Sequence, residues 1–292
     1  LPPLPCPPLT TYEHASDKGR LADTARQTGV AIPRTLRIDQ NEPLQELPAG
    51  FTFPVVLKPT RSRIAIDGGY LSTMVMIAQN KAQFLTIQQQ NRWFLEAPWL
   101  LQAFIEGTGQ GVFAIYDHGR PVAWFAHERI REKPPTGGVS VLSRSAPLSR
   151  PLKSAAEALL DKLKWHGPAM VEFRVAADGT PYLMEINARF WGSLQLAISS
   201  GVNFPVLAAQ IALGERPPEV TSYKLGVYNR WLLGDLDNLY LTLKAPLSQY
   251  SAWQKLKAAG RFMIPWWPGL HYEVNQWGDM GPFWHELKNY LR

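Results

Sequence analysis

The most constraining feature of this 292-residue sequence is a β-hairpin signal in its second half. Asp178-Gly179 separates two strand-like runs, 169–176 and 181–187, and Asp-Gly is a strong signal for a two-residue hairpin turn. A two-residue turn pairs Ala177 with Thr180. That register fixes which residue of one strand lies opposite which residue of the other.

Counting outward from this turn sets Glu172 opposite Glu185. Side chains alternate between the faces of a strand, so Asn187 shares the face of Glu185. Two opposed carboxylates repel unless a cation lies between them, and their hard oxygen ligands suit Mg²⁺. The alternative is an ordinary hairpin with an acidic solvent face. The aromatic residues at 190–191 favour a cleft at this end of the hairpin.

The rest of the chain mixes helical periodicity with strands and hairpins, which is an α+β pattern. The first twelve residues form a proline-rich, extended entry, and 36–48 is irregular. Caps and apolar periodicity predict helices at 16–28, 80–91, 151–165, 192–200 and 203–213. Apolar runs predict strands at 53–59, 70–77 and 99–105, a loop at 60–69, and a hairpin over 112–131.

Composition narrows the class of protein. The net charge is +6, but the Lys and Arg residues are scattered, which does not favour nucleic acid; a positive field also suits an enzyme that handles phosphates. The one cysteine, Cys6, excludes an intramolecular disulfide. The N-terminus has no signal-peptide pattern and no stretch has the length of a membrane span. We therefore expect a cytoplasmic protein.

The hairpin sequence resembles a known motif. Glu172 is followed by Tyr182-Leu-Met-Glu-Ile-Asn-Ala-Arg189-Phe-Trp-Gly-Ser193 and by Gly201-Val-Asn-Phe204. This pattern resembles the metal-binding core of ATP-grasp enzymes such as carbamoyl phosphate synthetase, biotin carboxylase and D-alanine–D-alanine ligase. The Phe-Trp-Gly-Ser form is similar to uncharacterised ATP-grasp proteins described as predicted carboxylate–amine ligases. The resemblance covers about residues 16–215.

The resemblance implies an ATP-grasp fold in which two α+β subdomains grip ATP. The implied division is an N-terminal leader and helix at 1–32, a small lid subdomain at 33–103, a large subdomain with the metal site at 104–218, and a C-terminal extension at 219–292. The family also carries an N-terminal α/β domain, which this chain begins too late to contain in full.

The resemblance also implies roles for individual residues. Glu172, Glu185 and Asn187 match the ligands of Mg²⁺ (or Mn²⁺), and Arg189 matches the arginine that steadies the transferred phosphoryl group. Lys58 matches the lysine that touches the α-phosphate and adenine. Without the resemblance, a lysine at the end of a strand is usually a solvated surface charge.

Further ATP contacts follow from the same comparison. Lys18 aligns with a phosphate-contacting basic residue, with a plain surface lysine as the alternative. Glu106 or Gln110 matches the ribose contacts. The hinge that reads the adenine edge is implied to be Gln102, Ala103, Phe104 and Ile105.

On the substrate side, Arg129 is implied to face the acceptor or the γ-phosphate, and Gly137-Gly138 to form a substrate loop. A surface arginine and a simple turn are the alternatives. One departure concerns the loop after Lys58. The family's phosphate loop is rich in Gly and Ser, whereas this one carries Arg61 and Arg63.

The implied activity is an ATP-dependent ligase that activates a small-molecule carboxylate as an acyl phosphate for attack by an amine, or by a thiol. The alternative is a non-catalytic ATP-binding module. Six of the eleven tryptophans lie beyond residue 219. We expect this aromatic segment to pack on its own domain or on a second copy in a homodimer, with an interfacial membrane contact as the alternative.

Overall fold

A computed structural model describes residues 5–66, 69–135 and 138–290. In chain order its first elements are α1 (Leu9–Ser16), α2 (Lys18–Gln27), β1 (Thr35–Ile38), β2 (Val55–Pro59), β3 (Arg63–Ile66), β4 (Gly69–Ser72), β5 (Met76–Ala78), α3 (Lys81–Gln90), α4 (Trp93–Glu96), β6 (Trp99–Ala103) and β7 (Thr108–Asp117). They continue with β8 (Arg120–Lys133), β9 (Val139–Ser145), α5 (Arg150–Lys162), β10 (Gly167–Val175), β11 (Pro181–Asn187), α6 (Leu194–Ser199), α7 (Phe204–Ala212), β12 (Tyr228–Arg230), α8 (Leu232–Lys244), α9 (Ala252–Phe262), β13 (Leu270–Tyr272) and α10 (Gly281–Tyr290).

The chain divides into two compact units, each built from discontinuous segments. The hairpin unit comprises residues 6–109 and 149–188. The C-terminal unit comprises 110–148 and 189–290 together with Pro5. Both units mix helices with sheet, so the predicted α+β class is confirmed. The four segments predicted from the sequence divide the chain at other points and stay a prediction.

In the hairpin unit, an antiparallel sheet with the order β1-β6-β2-β5 carries one apolar core. Helix α3 begins after Asn80, whose side chain accepts a hydrogen bond from the amide of Gln83, as expected of an N-cap. Phe84 on this helix is fully buried and meets the ring of Phe53 edge-on, with 6.2 Å between centroids. The ring of Trp99 on β6 packs edge-on against Phe94.

The N-terminal part of the hairpin unit differs from the sequence prediction. The proline-rich entry was predicted to be extended to residue 12, but α1 begins at Leu9. The predicted cap at Ser16 is also wrong. Asp17 caps α2 instead, because its carboxylate accepts hydrogen bonds from the amides of Gly19 and Arg20. The helix ends as predicted, with Gly29 in the left-handed conformation at φ 72°.

Two segments predicted to be irregular contain strands. β1 overlaps the start of 36–48 and pairs with β6, and β3 lies within the predicted loop 60–69 and pairs with β4. Each is four residues long. Strands this short give too little alternation for a sequence pattern to identify, and tertiary pairing decides them.

The C-terminal unit is built on a sheet with the order β7-β8-β9-β12-β13. The predicted hairpin over 112–131 is confirmed as β7 and β8, and Asn203 caps α7 as predicted. Trp191 was expected to border a cleft. It is instead buried in the core of this unit, with its ring 4.3 Å from that of Phe113 and 5.0 Å from that of Phe204.

The aromatic segment near the C-terminus is only partly packed. The Trp267 ring contacts Tyr228 edge-on, and Leu270 is buried. Trp266 is 65% exposed and Trp277 99% exposed. Across the described ranges, no helix combines the length and the apolar character needed to cross a membrane.

The apolar core on the β1-β6-β2-β5 sheet leads to a prediction about stability. Replacing the fully buried Phe84 by Ala leaves a cavity, and we expect the free energy of unfolding to fall by about 3–5 kcal/mol. Gln89→Ala, at an exposed position of the same helix, serves as the control and should change it by about 0.5 kcal/mol or less. Urea denaturation followed by circular dichroism measures both. Equal midpoints for the two variants would contradict this account of the core.

Candidate functional site

The β10–β11 hairpin places its two carboxylates opposite each other, as the sequence predicted. Glu172 pairs with Glu185, and Met170 pairs with Asn187. The turn differs from the predicted one, because Ala176 and Thr180 close a three-residue loop. A β-bulge between Phe173 and Glu172 then restores the predicted register. The carboxylate pair is therefore set by the bulge as much as by the turn.

Asn187 joins the two carboxylates through its side-chain amide. Its Nδ2 donates to Glu172 Oε1 at 3.2 Å and to Glu185 Oε1 at 2.9 Å. The three side chains therefore share one face of the hairpin, as alternation requires. An amide group offers its two hydrogens to two acceptors at once. This bridge offsets part of the repulsion between the opposed carboxylates.

Positive charge near the same face also offsets the repulsion between the two carboxylates. Lys18 Nζ lies 3.3 Å from Glu185 Oε2. Burial by itself raises the pKa of Glu185, but the charge of Lys18, the hydrogen bonds from Asn187 and Lys18, and the charge of Lys58 outweigh it, so the pKa lies below its ordinary value of 4.5. Glu185 is therefore ionised at neutral pH.

The position of Lys18 is fixed by the start of α2. Asp17 caps the helix, and the Lys18 amide donates to the Thr60 carbonyl at 2.9 Å. The ammonium also donates to Ser62 Oγ at 3.2 Å, and the side chain is only 8% exposed. The alternative of a plain surface lysine is therefore wrong. Cap, ion pair and hydrogen bond together hold this ammonium beside the acidic face.

Lys58 is the other buried cation of the site. It lies on β2, is 5% exposed, and has no ion pair or hydrogen bond within the described part of the chain. Its pKa is lowered from 10.5 to about 8, because burial and the nearby charge of Lys18 lower it by more than the charge of Glu185 raises it. The alternative of a solvated surface charge is wrong here also. The fold therefore bears a desolvation cost for this ammonium.

The segment predicted to read adenine continues β6. Gln102 is buried and donates from Nε2 to Thr35 Oγ1 at 2.8 Å, and the Ala103 amide donates to the Arg34 carbonyl. The carbonyl of Ile105 accepts from Arg174 Nε at 3.3 Å, with the guanidinium 6.0 Å from the Phe104 ring. These bonds hold the backbone of the segment in place.

Glycine at position 107 allows this segment to approach the hairpin. A Cβ on Gly107 would come within 2.1 Å of the Val175 carbonyl oxygen, so only glycine fits. Glu106, the residue before it, is exposed. Its predicted contact with ribose stays a prediction.

The remaining predicted residues belong to the C-terminal unit. Arg189 is exposed, and its Nη1 donates to the carbonyl of Phe190. Arg129 lies on β8 and donates to Glu132 Oε1 at 3.1 Å and to the Gly138 carbonyl at 3.4 Å. Gly137 lies outside the described residues. The Arg129 bond nonetheless links this arginine to the predicted substrate loop through Gly138.

The acidic face has the chemistry of a metal site. The carboxylates of Glu172 and Glu185 and the side-chain amide of Asn187 lie on one face of the hairpin. Together they form a set of hard oxygen donors of the kind that binds Mg²⁺. Turning the Asn187 amide over presents its oxygen, in place of its nitrogen, to the space between the carboxylates. The residues present therefore fit a divalent cation.

Sequence reasoning missed Asp17 and Ser62, which position Lys18. Ser16 and Asp17 are adjacent, and both are residue types that favour the N-cap position, so the sequence alone does not show which of them caps the helix. Ser62 lies in a loop, where no periodicity identifies a contact with a residue 44 positions away.

The buried ammonium of Lys58 generates a prediction about stability and pH. The drop in its pKa from 10.5 to about 8 corresponds to roughly 3 kcal/mol. Between these pH values the unfolded chain holds a proton that the folded protein has released, so stability rises with pH in this window. We expect Lys58→Met to be more stable than the parent at pH 7, with a difference that shrinks towards pH 10.5.

Urea denaturation at both pH values measures this difference. Lys162→Met, at an exposed position in the same unit, is the matched control and should show no such pH-dependent difference. A Lys58→Met protein that is no more stable than the parent at pH 7 would refute the cost assigned to this buried charge.

Comparison with known proteins bears on the fold. Residues 96–233 match the model of a family described as ATP-grasp in the biosynthetic pathway with Ter operon. That segment contains both strands of the acidic hairpin. No curated protein matches the chain.

Solved structures share the fold at low sequence identity. An L-amino acid ligase from Bacillus licheniformis matches 72% of this chain with 21% identity and a TM-score of 0.56. A biotin carboxylase from Campylobacter jejuni matches 76% of the chain with 16% identity and a TM-score of 0.61. A D-alanine–D-alanine ligase from Bacillus anthracis, complexed with ATP, matches 72% of the chain with 18% identity and a TM-score of 0.52.

The matched regions span 50%, 51% and 69% of those proteins, so this chain corresponds to about half the length of the first two. At these identities the likeness establishes the fold. Taken with the match of residues 96–233 to the family model, it shows that the chain has the ATP-grasp fold.

Proposed function

We propose that this protein is an ATP-dependent ligase. In the proposed reaction a substrate carboxylate attacks the γ-phosphoryl group of ATP, which gives an acyl phosphate and ADP. An amine, or a thiol in its place, then attacks the acyl carbon and displaces inorganic phosphate. The observation that carries the proposal is the pairing of an acidic hairpin face with two buried ammonium groups, Lys18 and Lys58, in the hairpin unit.

The two lysines supply the phosphate-binding part of the proposal. Lys58 is buried with an ammonium that has no bonded partner in the described chain, and a nucleotide phosphate would provide the missing anion. Lys18 stands beside it, held by Ser62 and by Glu185. Two fixed ammonium groups stabilise the negative charge that is transferred with the phosphoryl group.

The acidic face supplies the metal-binding part. Glu172, Glu185 and Asn187 would hold Mg²⁺ (or Mn²⁺), and the bound cation neutralises charge on the phosphate oxygens. Glu185 is already ionised because Lys18, Asn187 and Lys58 lower its pKa. The carboxylate therefore needs no deprotonation before it binds a cation at neutral pH.

Nucleotide binding would change the partners of Lys18. Its ion pair with Glu185 compensates both charges in the hairpin unit. A cation on the carboxylate and a phosphate on the ammonium provide each group with a stronger opposite charge. The Lys18–Glu185 pair thus keeps both groups positioned for Mg-ATP.

Other parts of the site follow the same proposal. The backbone of 102–105 would contact the adenine edge and Glu106 the ribose. Arg189 would steady the transferred phosphoryl group, and Arg129 with Gly137-Gly138 would face the acceptor. None of these roles requires a protein nucleophile, since the reaction depends on positioning and charge neutralisation.

A substitution in the hairpin tests the metal assignment. We expect Glu185→Gln to lose the Mg²⁺-dependent part of ATP binding and at least about 100-fold of any ADP release, because a charged ligand is replaced by a neutral one. Glu42→Gln, at an exposed position in the same unit, is the charge-matched control. Isothermal titration calorimetry and a coupled ADP assay measure the two effects. Unchanged Mg-ATP affinity and turnover in Glu185→Gln would refute the metal face.

Measuring ADP binding without metal distinguishes the role of Lys58 from that of Glu185. In Mg-free buffer with EDTA, we expect Lys58→Met to weaken ADP binding by about tenfold or more, since it removes a charge-assisted contact to phosphate. Glu185→Gln should bind ADP at least as well as the parent in that buffer, because it removes a negative charge near the phosphates. The same loss in both variants would contradict the assigned roles.

A screen for ADP release with amino acids and small carboxylic acids tests the ligase activity. Carboxylate-dependent ADP release that disappears in Glu185→Gln supports the proposed reaction. ATP binding without turnover across the panel would leave a nucleotide-binding protein and reject the ligase.

A further inference from the structure

A cavity lies within the C-terminal unit, bordered by β8, α8 and α9. Its volume is about 420 Å³, which is in the range of small-molecule sites. Six charged side chains line it: Arg129, Arg131, Glu132, Asp235, Lys257 and Arg261. Two of its three walls, α8 and α9, come from residues beyond 219, the segment for which the sequence predicted packing on its own domain or on a second copy.

One buried carboxylate fixes the base of this cavity. Asp235, 1% exposed, accepts from Arg131 Nε at 2.6 Å and Nη2 at 2.7 Å, and from Arg230 Nε at 2.6 Å. Charge-assisted bonds of this kind are short and directional. They tie the first turn of α8 to β8 and β12.

The same network holds α9. Arg230 donates from Nη1 to the Ile264 carbonyl and from Nη2 to the Phe262 carbonyl, just where α9 ends. On the opposite side, Asn238 Nδ2 donates to the Glu132 carbonyl at 2.6 Å and so ties α8 to β8. The cavity walls are therefore joined by hydrogen bonds through buried or half-buried groups, which is the preorganisation a binding site requires.

The charges of the lining do not balance. Four of the six charged side chains are basic and two are acidic, which leaves a net charge of +2. Both acidic groups already have arginine partners: Arg131 pairs with Asp235, and Arg129 with Glu132. Lys257 and Arg261 form no ion pair with any residue that the structure describes. They stand one turn apart on α9, so both present their charge to the same side of the helix.

The cavity also has apolar walls. Leu239 and Ala258 come from the facing helices, and Phe262 closes the end of α9. A site with two unpaired cations and apolar surface between them suits an organic anion better than an inorganic one.

We propose that this cavity binds a small organic molecule with two negative charges, which Lys257 and Arg261 recognise. A dicarboxylate and a phosphate monoester share this chemistry, and the experiment below distinguishes them. Arg129, proposed above to face the acceptor, also lines this cavity, but the proposal rests on Lys257 and Arg261, to which the ligase proposal gives no role and which lie in the C-terminal unit away from the acidic hairpin face.

Calorimetric titration of the full chain at constant ionic strength tests the proposal. The probes are succinate, glutarate and glycerol 3-phosphate, with acetate and propionate as singly charged controls. We expect at least one dianion to bind, and to bind about tenfold or more tightly than the monoanions, because it satisfies two cations instead of one. Preference between glutarate and glycerol 3-phosphate decides the source of the charge.

Variants locate the binding. K257A/R261A should weaken the binding of the preferred dianion by about tenfold or more. K224A/K244A removes the same charge from exposed positions of the same unit that do not line the cavity, and should leave binding unchanged. Both pairs are exposed, and circular dichroism checks that each variant folds.

Glu185→Gln, which disables the proposed metal face, should bind the dianion as the parent does. Binding that survives K257A/R261A, or dianions that bind no better than monoanions, would overturn the proposal.

Discussion

The arrangement of the candidate site depends on the charge balance around Glu185. A hairpin that sets two carboxylates opposite each other is unstable unless positive or donor groups surround them. Here Lys18 forms an ion pair with Glu185, Asn187 donates to both carboxylates, and Lys58 adds a second positive charge nearby. The start of α2, the position of β2 and the bulge in the hairpin all serve to bring these groups together.

The charges of this site are not fully compensated. Lys58 remains buried without a bonded partner among the described residues, and its lowered pKa records a free-energy cost to the fold. Groups that destabilise the folded protein and yet lie together on a hairpin face are typical of functional sites. If this site binds Mg-ATP as proposed, the phosphate contact recovers this cost as binding energy, which is why we expect stability and nucleotide binding to respond in opposite directions to Lys58→Met.

The C-terminal unit uses the same kind of interaction for a different purpose. Asp235 lies buried between Arg131 and Arg230, and these bonds join β8, β12 and both helices that border the cavity. In this network the acidic group is saturated by arginines, whereas the cations on α9 are not. The acidic hairpin thus suits a cation beside phosphates, while the cavity suits an anion.

The sequence by itself determined the α+β class and the presence of the hairpin, because these follow from local turn signals and strand alternation. The choice of Lys58 came from the family resemblance, and the predicted opposition of Glu172 to Glu185 holds only because a bulge compensates for a different turn. It could not determine the three-residue loop and compensating bulge, the cap at Asp17 instead of Ser16, or the short strands β1 and β3.

Tertiary structure alone decided the contacts between distant segments. Ser62 meets Lys18 across 44 residues, and Arg131 meets Asp235 across 104. Periodicity and propensity describe neighbours along the chain, whereas these side chains meet because separate elements pack together. For the same reason, only the folded chain shows which of its many lysines and arginines are buried, paired or left to bind an anion.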